Sequence, residues 1–272
     1  YILVLLVRSV GHMPKWESPA DIIYCAQNRQ HDMAPKGGLL TIFASFVSLA
    51  GGASLGQYGP LVHLGGTLSI AISRWYHSLW LGRDVIIGCG VAAAISAGFN
   101  APIAGIIFAH EAVLRHFSGR ALALISIASI SASALNRTLF ETTDIFEITQ
   151  SFTVSGEMVA ISLVAGVGFG ISAIFIIRTL FVVNKIADHS KATYRWLAGC
   201  GLLYLLFLSQ TLPEALGLGI GVINNLFSNV ETTQMLFILL GAKLSAVVLS
   251  ATIGFSGGFV GPALFIGAVL GA

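Results

Sequence analysis

From Met158 to Ile177 the chain carries no charged side chain. That is the length of helix needed to cross the hydrocarbon of a bilayer, about 20 residues. In lipid only a helix or a closed barrel pairs every backbone N–H and C=O. Arg178 follows near the end of the apolar stretch 158–183, where its long stem can return the charge to the interface. The remaining sequence agrees, being 56% hydrophobic and 10% charged, where ordinary soluble domains are about 25% charged. A soluble fold of this size could not hide so much apolar surface. Disorder, collagen and coiled coil are excluded by the same composition. With a net charge of +2 and no Lys/Arg run longer than two, nothing marks a nucleic-acid surface. The expectation is an all-α integral membrane protein, with the lipid bilayer as partner, one membrane domain over 1–272 and no soluble domain.

Apolar stretches at 39–55, 60–75, 85–99, 101–114, 121–139, 158–183, 194–211 and 235–253, with stubs at 1–7 and 259–272, predict the helices. Several are too short, or too interrupted by glycine and proline, to cross a membrane directly. Pro102 suits the first turn of the helix that follows Phe99-Asn100-Ala101. Short, broken segments point to a transporter-type core in which half-helices aim their ends at an ion. Two have this character most strongly: Gly51-Gly52-Ala53-Ser54-Leu55-Gly56-Gln57-Tyr58-Gly59-Pro60 and Gly254-Phe255-Ser256-Gly257-Gly258-Phe259-Val260-Gly261-Pro262. Each is a glycine cluster that ends in Gly-Pro and opens an apolar helix. A helix N-terminus offers unpaired N–H donors and about half a positive charge, enough to hold an anion without a buried Lys or Arg. Glycines also serve plain helix packing in membranes. Two clusters with the same ending favour ion contact.

These stretches resemble the CLC family of chloride channels and chloride/proton antiporters. Gly56-Gln57-Tyr58-Gly59-Pro60 is similar to the family's GREGP loop, Phe99-Asn100-Ala101-Pro102-Ile103-Ala104-Gly105 to its FNAPLAG segment, and Gly258-Phe259-Val260-Gly261-Pro262 to its GxFxP loop. The resemblance implies an inverted-repeat bundle of tilted and re-entrant helices, in a homodimer with one pore per subunit in the plasma (inner) membrane. It also implies a partial chain lacking the first helices and the last four or so, and with them a late tyrosine ligand. It places the anion on Gly56, Gln57, Tyr58, Gly59, Phe259, Val260 and Gly261, with chloride as the transported ligand and no cofactor or metal. Where the family has its gating glutamate this chain has Tyr58, a phenol that ionises only near pH ~10 and cannot act as a carboxylate at neutral pH. The antiporters' second proton-handling glutamate aligns with Ala112, leaving Glu111 beside it. A passive channel with Tyr58 as its gate is therefore expected. The alternative is an antiporter that uses Glu111.

The family's GSGIP motif aligns with Trp16-Glu17-Ser18-Pro19-Ala20, which puts Glu17 on a chloride-binding serine. A carboxylate there would repel the anion, so the expectation is a one-residue slip to Ser18 or an outward Glu17. Gly11-His12-Met13-Pro14 is a weaker rival for that motif. Lys243 lies centrally in 235–253, where a charge costs roughly 2.5–3.5 kcal/mol. It is read either as a pore-approach cation, a role the resemblance supports, or as half of an ion pair. Gly52-Ala53-Ser54-Leu55-Gly56 matches G-x-S-x-G and keeps a remote intramembrane serine hydrolase in view, but no strand pattern precedes it. His110 and His116 are six residues apart and so diverge around a helix, against a zinc site. With Glu111 and Arg115 they read as a wet helix end. His63 is expected to be a packed polar residue, and Cys25, Cys89 and Cys200 to be small buried hydrophobes.

Overall fold

A computed structural model describes residues 1–12, 15–28, 33–75, 81–140, 146, 155–187, 189–228 and 231–272. Among these the regular elements are helices: α1 (Ile2–Val10), α2 (Pro19–Gln27), α3 (Pro35–Ala50), α4 (Tyr58–Trp75), α5 (Arg83–Phe99), α6 (Pro102–Phe108), α7 (Gly119–Phe140), α8 (Gly156–Ala187), α9 (Lys191–Thr211), α10 (Ile220–Ser228), α11 (Thr233–Thr252) and α12 (Val260–Gly271). A π-helical turn, Ala109–Leu114, extends α6, and a 3-10 turn, Pro213–Ala215, precedes α10. α7, α8 and α11 are long and apolar enough to cross a membrane, while α3, α12 and the continuous stretch Pro102–Leu114 are apolar but shorter. α8 is the expected clear span, and its 32 residues extend roughly 48 Å. That exceeds the ~30 Å hydrocarbon layer, so α8 must tilt or emerge. Hydropathy overlooks α2 and α10, two nine-residue helices too short to register as spans. The expected 39–55 segment stops at Ala50, where Gly51-Gly52 turns the chain.

The chain divides into two compact units, one of residues 1–47 with 57–145 and the other of 48–56 with 146–272. In the first, Ile22 of α2, Val62 and Ile70 of α4, Ile87, Val91 and Ala92 of α5, and Ile125 of α7 form one buried core. α4 and α5 cross backbone to backbone, because a side chain on Gly65 would collide with the Gly90 carbonyl oxygen. α5 ends at Asn100, whose φ of 52° is left-handed, a conformation asparagine tolerates better than most residues. Arg137 Nε donates to its side-chain oxygen at 2.9 Å, and Asn136 Nδ2 caps the Ala97 carbonyl at 3.0 Å. Pro102 then opens α6 at its first turn, as expected.

The second unit is organised about a two-fold repeat. α3 ends in a Schellman cap: Gly52, at φ 81°, sends its N–H to Leu49 O, and Ala53 sends its own to Ser48 O. α11 ends identically, with Gly254 at φ 93°, Gly254 N–H on Ala251 O and Phe255 N–H on Ser250 O. The two turns then bind each other. Ser54 N–H donates to Ser250 Oγ and Ser256 N–H to Ser48 Oγ, both at 3.1 Å. Gly56 and Gly258 exchange N–H···O bonds of 2.6 and 2.7 Å as an isolated antiparallel bridge. Ser48 and Ser250, Gly52 and Gly254, Ser54 and Ser256, Gly56 and Gly258 are each 202 positions apart, as are Gly59-Pro60 and Gly261-Pro262. This is the inverted repeat.

Candidate anion-binding site

α12 begins beside the bridge. Phe259 is its N-cap, Val260 and Gly261 occupy its first turn, and Pro262 supplies no N–H. The Val260 and Gly261 amides have no acceptor within the helix, and together they mark its positive end. Gly56 lies directly against them, since a Cβ built on it would stand 2.9 Å from Gly261 N. Phe259 and Val260 are half-exposed, while Gly261 and Pro262 are buried. The chain leaves Gly56 through Gln57 into α4, whose first residues are Tyr58, Gly59 and Pro60. Leu61 N–H closes the first turn on Gln57 O at 3.0 Å.

Tyr58 is buried, with 2% of its surface exposed. Its ring stacks on Phe99 at a centroid distance of 3.9 Å and 17° between planes, a contact worth about 0.5–1.5 kcal/mol beyond area. The chain segment that carries the FNAP-like sequence thus holds Tyr58 in place. No carboxylate occupies that position.

In the GSGIP-like region Ser18 and Glu17 both have partners within the first unit. Ser18 is the N-cap of α2, and its backbone N–H and its hydroxyl both go to Asp21 Oδ2, at 2.6 and 2.8 Å. Its O–H proton is therefore committed within the cap. The Glu17 side chain is directed at α3 and α4. Its backbone N–H donates to Thr41 Oγ1 at 3.3 Å, its carboxylate presses on Gly37 of α3, and Oε2 lies 3.7 Å from His63 Nε2. Burial, and then the Asp21 charge, push the Glu17 carboxyl above its ordinary value of 4.5. The rival Gly11-His12-Met13-Pro14 runs into Met13 and Pro14, outside the described residues.

Lys243 is fully buried. Its Nζ donates to Gly217 O at 2.7 Å and lies 4.7 Å from the centroid of the Phe265 ring. Among the described residues its contacts are a carbonyl and an aromatic face rather than an acidic partner. Ser54 Oγ donates to Ala215 O at 3.0 Å, whereas a nucleophilic serine must give that proton to a base.

Glu111 is exposed on the π-helical turn, and Ala112 O accepts from Gln27 Nε2 at 3.0 Å. The expected wet helix end is only partly wet. His110 is buried, with Nδ1 on Ile106 O at 3.1 Å and its ring tilted against Phe117. His116 and Arg115 are exposed, and His116 Nε2 lies 3.7 Å from Asp84. Among the described residues no group of three His, Cys, Asp or Glu is placed to hold a metal. Cys25 is buried as expected, with Arg83 Nη2 3.1 Å from its sulfur, but Cys89 is half-buried and Cys200 exposed.

Sequence reasoning overlooked Ser48 and Ser250, the hydroxyls that lock the two turns together. The constant 202-residue spacing was the signal that could have found them.

The sequence matches the family described as voltage gated chloride channel over residues 1–272. It is 27% identical over 243 residues to a ClcB-like chloride channel protein of Ralstonia nicotianae, covering 88% of this chain and 57% of that protein. It is 28% identical over 245 residues to an H(+)/Cl(-) exchange transporter, ClcA, of Cronobacter sakazakii, covering 85% and 51%. A crystal structure of a slow cyanobacterial Cl-/H+ antiporter superposes with a TM-score of 0.80 at 19% identity, over 97% of this chain and 66% of that one. The chain thus spans about half to two thirds of the length of the relatives it matches.

Proposed function

Because the chain belongs to the voltage gated chloride channel family, we propose that it forms the pore-bearing part of a passive chloride channel. The single observation that carries this reading is Tyr58, buried at the start of α4 and stacked on Phe99, where an antiporter would need a carboxylate. A phenol neither competes with chloride as an anion nor exchanges protons near neutral pH. It narrows the path and offers an O–H to a passing halide.

In this reading the anion rests on backbone amides, those of Phe259, Val260 and Gly261 beside Gly56, and those of Gln57, Tyr58 and Gly59 that follow Gly56 along the chain. Helix-end amides suit conduction because they attract chloride without the full charge that would trap it. Lys243 supplies a fixed cation that raises the local anion concentration. Ser18 would join the site only on release of its cap, its N–H and its hydroxyl both being held by Asp21. The chain is taken as one membrane domain of a plasma-membrane homodimer.

Some relatives carry exchanger names, so antiport through Glu111 is the competing reading. Chloride efflux and proton movement recorded together from proteoliposomes holding the full-length protein separate the two. Chloride loss without proton movement, faster in Tyr58→Ala, is expected. Proton flow driven uphill by a chloride gradient, and lost in Glu111→Gln, would replace the channel by an antiporter.

A further inference from the structure

α8 and α9, the two longest helices of the second unit, meet at a basic corner. Between Glu157 and Glu214 the sequence holds four cations, Arg178, Lys185, Lys191 and Arg195, against one acid, Asp188, a net +3. The cations lie in the last third of α8 and the first two turns of α9, and all four are exposed. Glu157 and Glu214 stand at the far ends of the two helices. Arg178 and Lys185 are seven residues apart, so they share one face of α8 to within about 20°. Lys191 and Arg195 are four apart and neighbours on α9. Among the described residues no ion pair joins any of the four to a carboxylate.

The corner is fixed by its own bonds. Ser190 caps α9, its Oγ accepting the Thr193 N–H at 3.1 Å, and the His189 N–H donates to Ile186 O at 3.2 Å. Tyr194, between the two α9 cations, donates its O–H to Ile253 O at the end of α11, at 2.7 Å. Trp196 follows Arg195 with 76% of its surface exposed.

The depth of these groups follows from α8, whose spanning stretch is unburied among the described residues. Its charge-free residues 158–177 match a hydrocarbon layer of ~30 Å. Arg178 then stands at the hydrocarbon edge, and Lys185 lies about 10 Å further along the axis, among or just outside the headgroups. The chain returns through Lys191 and Arg195, with Trp196 supplying the amphipathic ring that favours this layer. The cations are exposed and spread over two helices, not closed round a cavity, which suits a layer of headgroups better than one small ion. Negative lipid attracts such residues roughly fivefold for each Lys or Arg near the surface. A basic helix end also serves topology, because Lys and Arg favour the cytoplasmic side. That role needs charge, but neither a fixed corner nor an exposed indole beside it.

We propose that the α8–α9 corner is a docking surface for anionic phospholipid headgroups. Lys185, Lys191 and Arg195 meet the phosphates, Arg178 marks the hydrocarbon edge, and Trp196 lies in the layer between. The contact is electrostatic and selects headgroup charge, not acyl chain. Because Ser190 and Tyr194 already hold the first turn of α9, little backbone freedom is lost when lipid arrives. The proposal needs a membrane and no chloride path, so it stands apart from the channel reading.

Trp196 is a built-in reporter. The full-length protein is reconstituted in phosphatidylcholine vesicles with rising fractions of dibrominated phosphatidylglycerol or dibrominated phosphatidylcholine, and tryptophan quenching is recorded. The part of the signal absent from Trp196→Phe belongs to that ring. It is expected to be half-quenched at a phosphatidylglycerol fraction roughly fivefold below that of phosphatidylcholine, the scale of one cation at the headgroups. Lys185→Gln, Lys191→Gln and Arg195→Gln together are expected to erase the difference between the lipids. Quenching by brominated phosphatidylcholine should meanwhile match the wild type, which reports intact insertion. Salt at 1 M, where the screening length is about 3 Å, is expected to shrink the difference likewise. Equal quenching by the two lipids in the wild type overturns the proposal and leaves the cations a topological role. A phosphatidylglycerol preference that survives the triple substitution overturns it as well.

Discussion

Replacing Gly56 by alanine places a methyl group where the two repeats meet. The new Cβ would lie 2.9 Å from Gly261 N, 3.1 Å from Gly258 O and 3.3 Å from Gly261 Cα, all backbone atoms that no rotamer change can move. Relief requires the bridge to open, lengthening the 2.6 and 2.7 Å bonds between Gly56 and Gly258. Each bond contributes about 0.5–1.5 kcal/mol net, and overpacking in a tight site costs about 1–3 kcal/mol. The sum is about 2–6 kcal/mol, and for a chain of this size each kcal/mol lowers the midpoint by roughly 2–4 °C. Thermal unfolding in detergent at a fixed scan rate should therefore place Gly56→Ala at least about 4 °C below the wild type. Gly267→Ala in α12 is the control. Nothing lies within 4 Å of its added Cβ, and alanine favours a helix by about 1 kcal/mol over glycine, so its midpoint should hold or rise. Equal midpoints for the two variants would refute the reasoning that the repeats meet backbone to backbone at Gly56.

Ser250→Ala strands the buried Ser54 N–H and should cost about 1–3 kcal/mol in the same melt; Ser54→Ala, which removes only the bond to Ala215 O, should cost less. Lys243→Met keeps the volume and the packing on Phe265 but removes the cation, so chloride efflux should fall most at low ionic strength, where fixed charges are least screened; an equal fall at all salt concentrations would make Lys243 a packing residue. Burial and Asp21 raise the Glu17 carboxyl, so its ionised form is disfavoured in the folded state. Its contribution is most favourable below pH 4.5 and is lost as pH rises through the raised value. The stability gained by Glu17→Gln should therefore be absent at pH 4 and grow toward neutrality, and a gain largest in acid would reverse the sign of this argument.

The helices and their breaks were legible because hydropathy and glycine-proline punctuation report directly on burial in lipid. α8, α11 and the α5–α6 corner at Asn100-Ala101-Pro102 appear close to where those signals put them. The short helices α2 and α10 were hidden, since nine residues carry too little hydropathy to stand out and are helical through their caps and neighbours. Tyr58 was legible as a departure from a motif, but its stacking on Phe99 was not, because the two residues are far apart in sequence. The partners of Ser18 and Glu17 were not legible either. The alignment presented one hydroxyl and one carboxylate to an anion, while the local capping preference of Ser18 for Asp21 and the pocket around His63 claimed both groups first.

The bonds between the two glycine turns also set a timetable. Ser54 and Gly56 find their partners on Ser250 and Gly258, about 200 residues downstream. At roughly 5–20 residues per second of synthesis, that is a wait of about 10–40 s. Throughout it the turn after α3 has emerged with its N–H groups unanswered, in or beside a membrane that offers them no acceptor. The nascent first half must keep that turn wet, or leave it unformed, until α11 is made. Insertion into the bilayer and closure of the paired glycine turns are therefore separate events in the life of each chain.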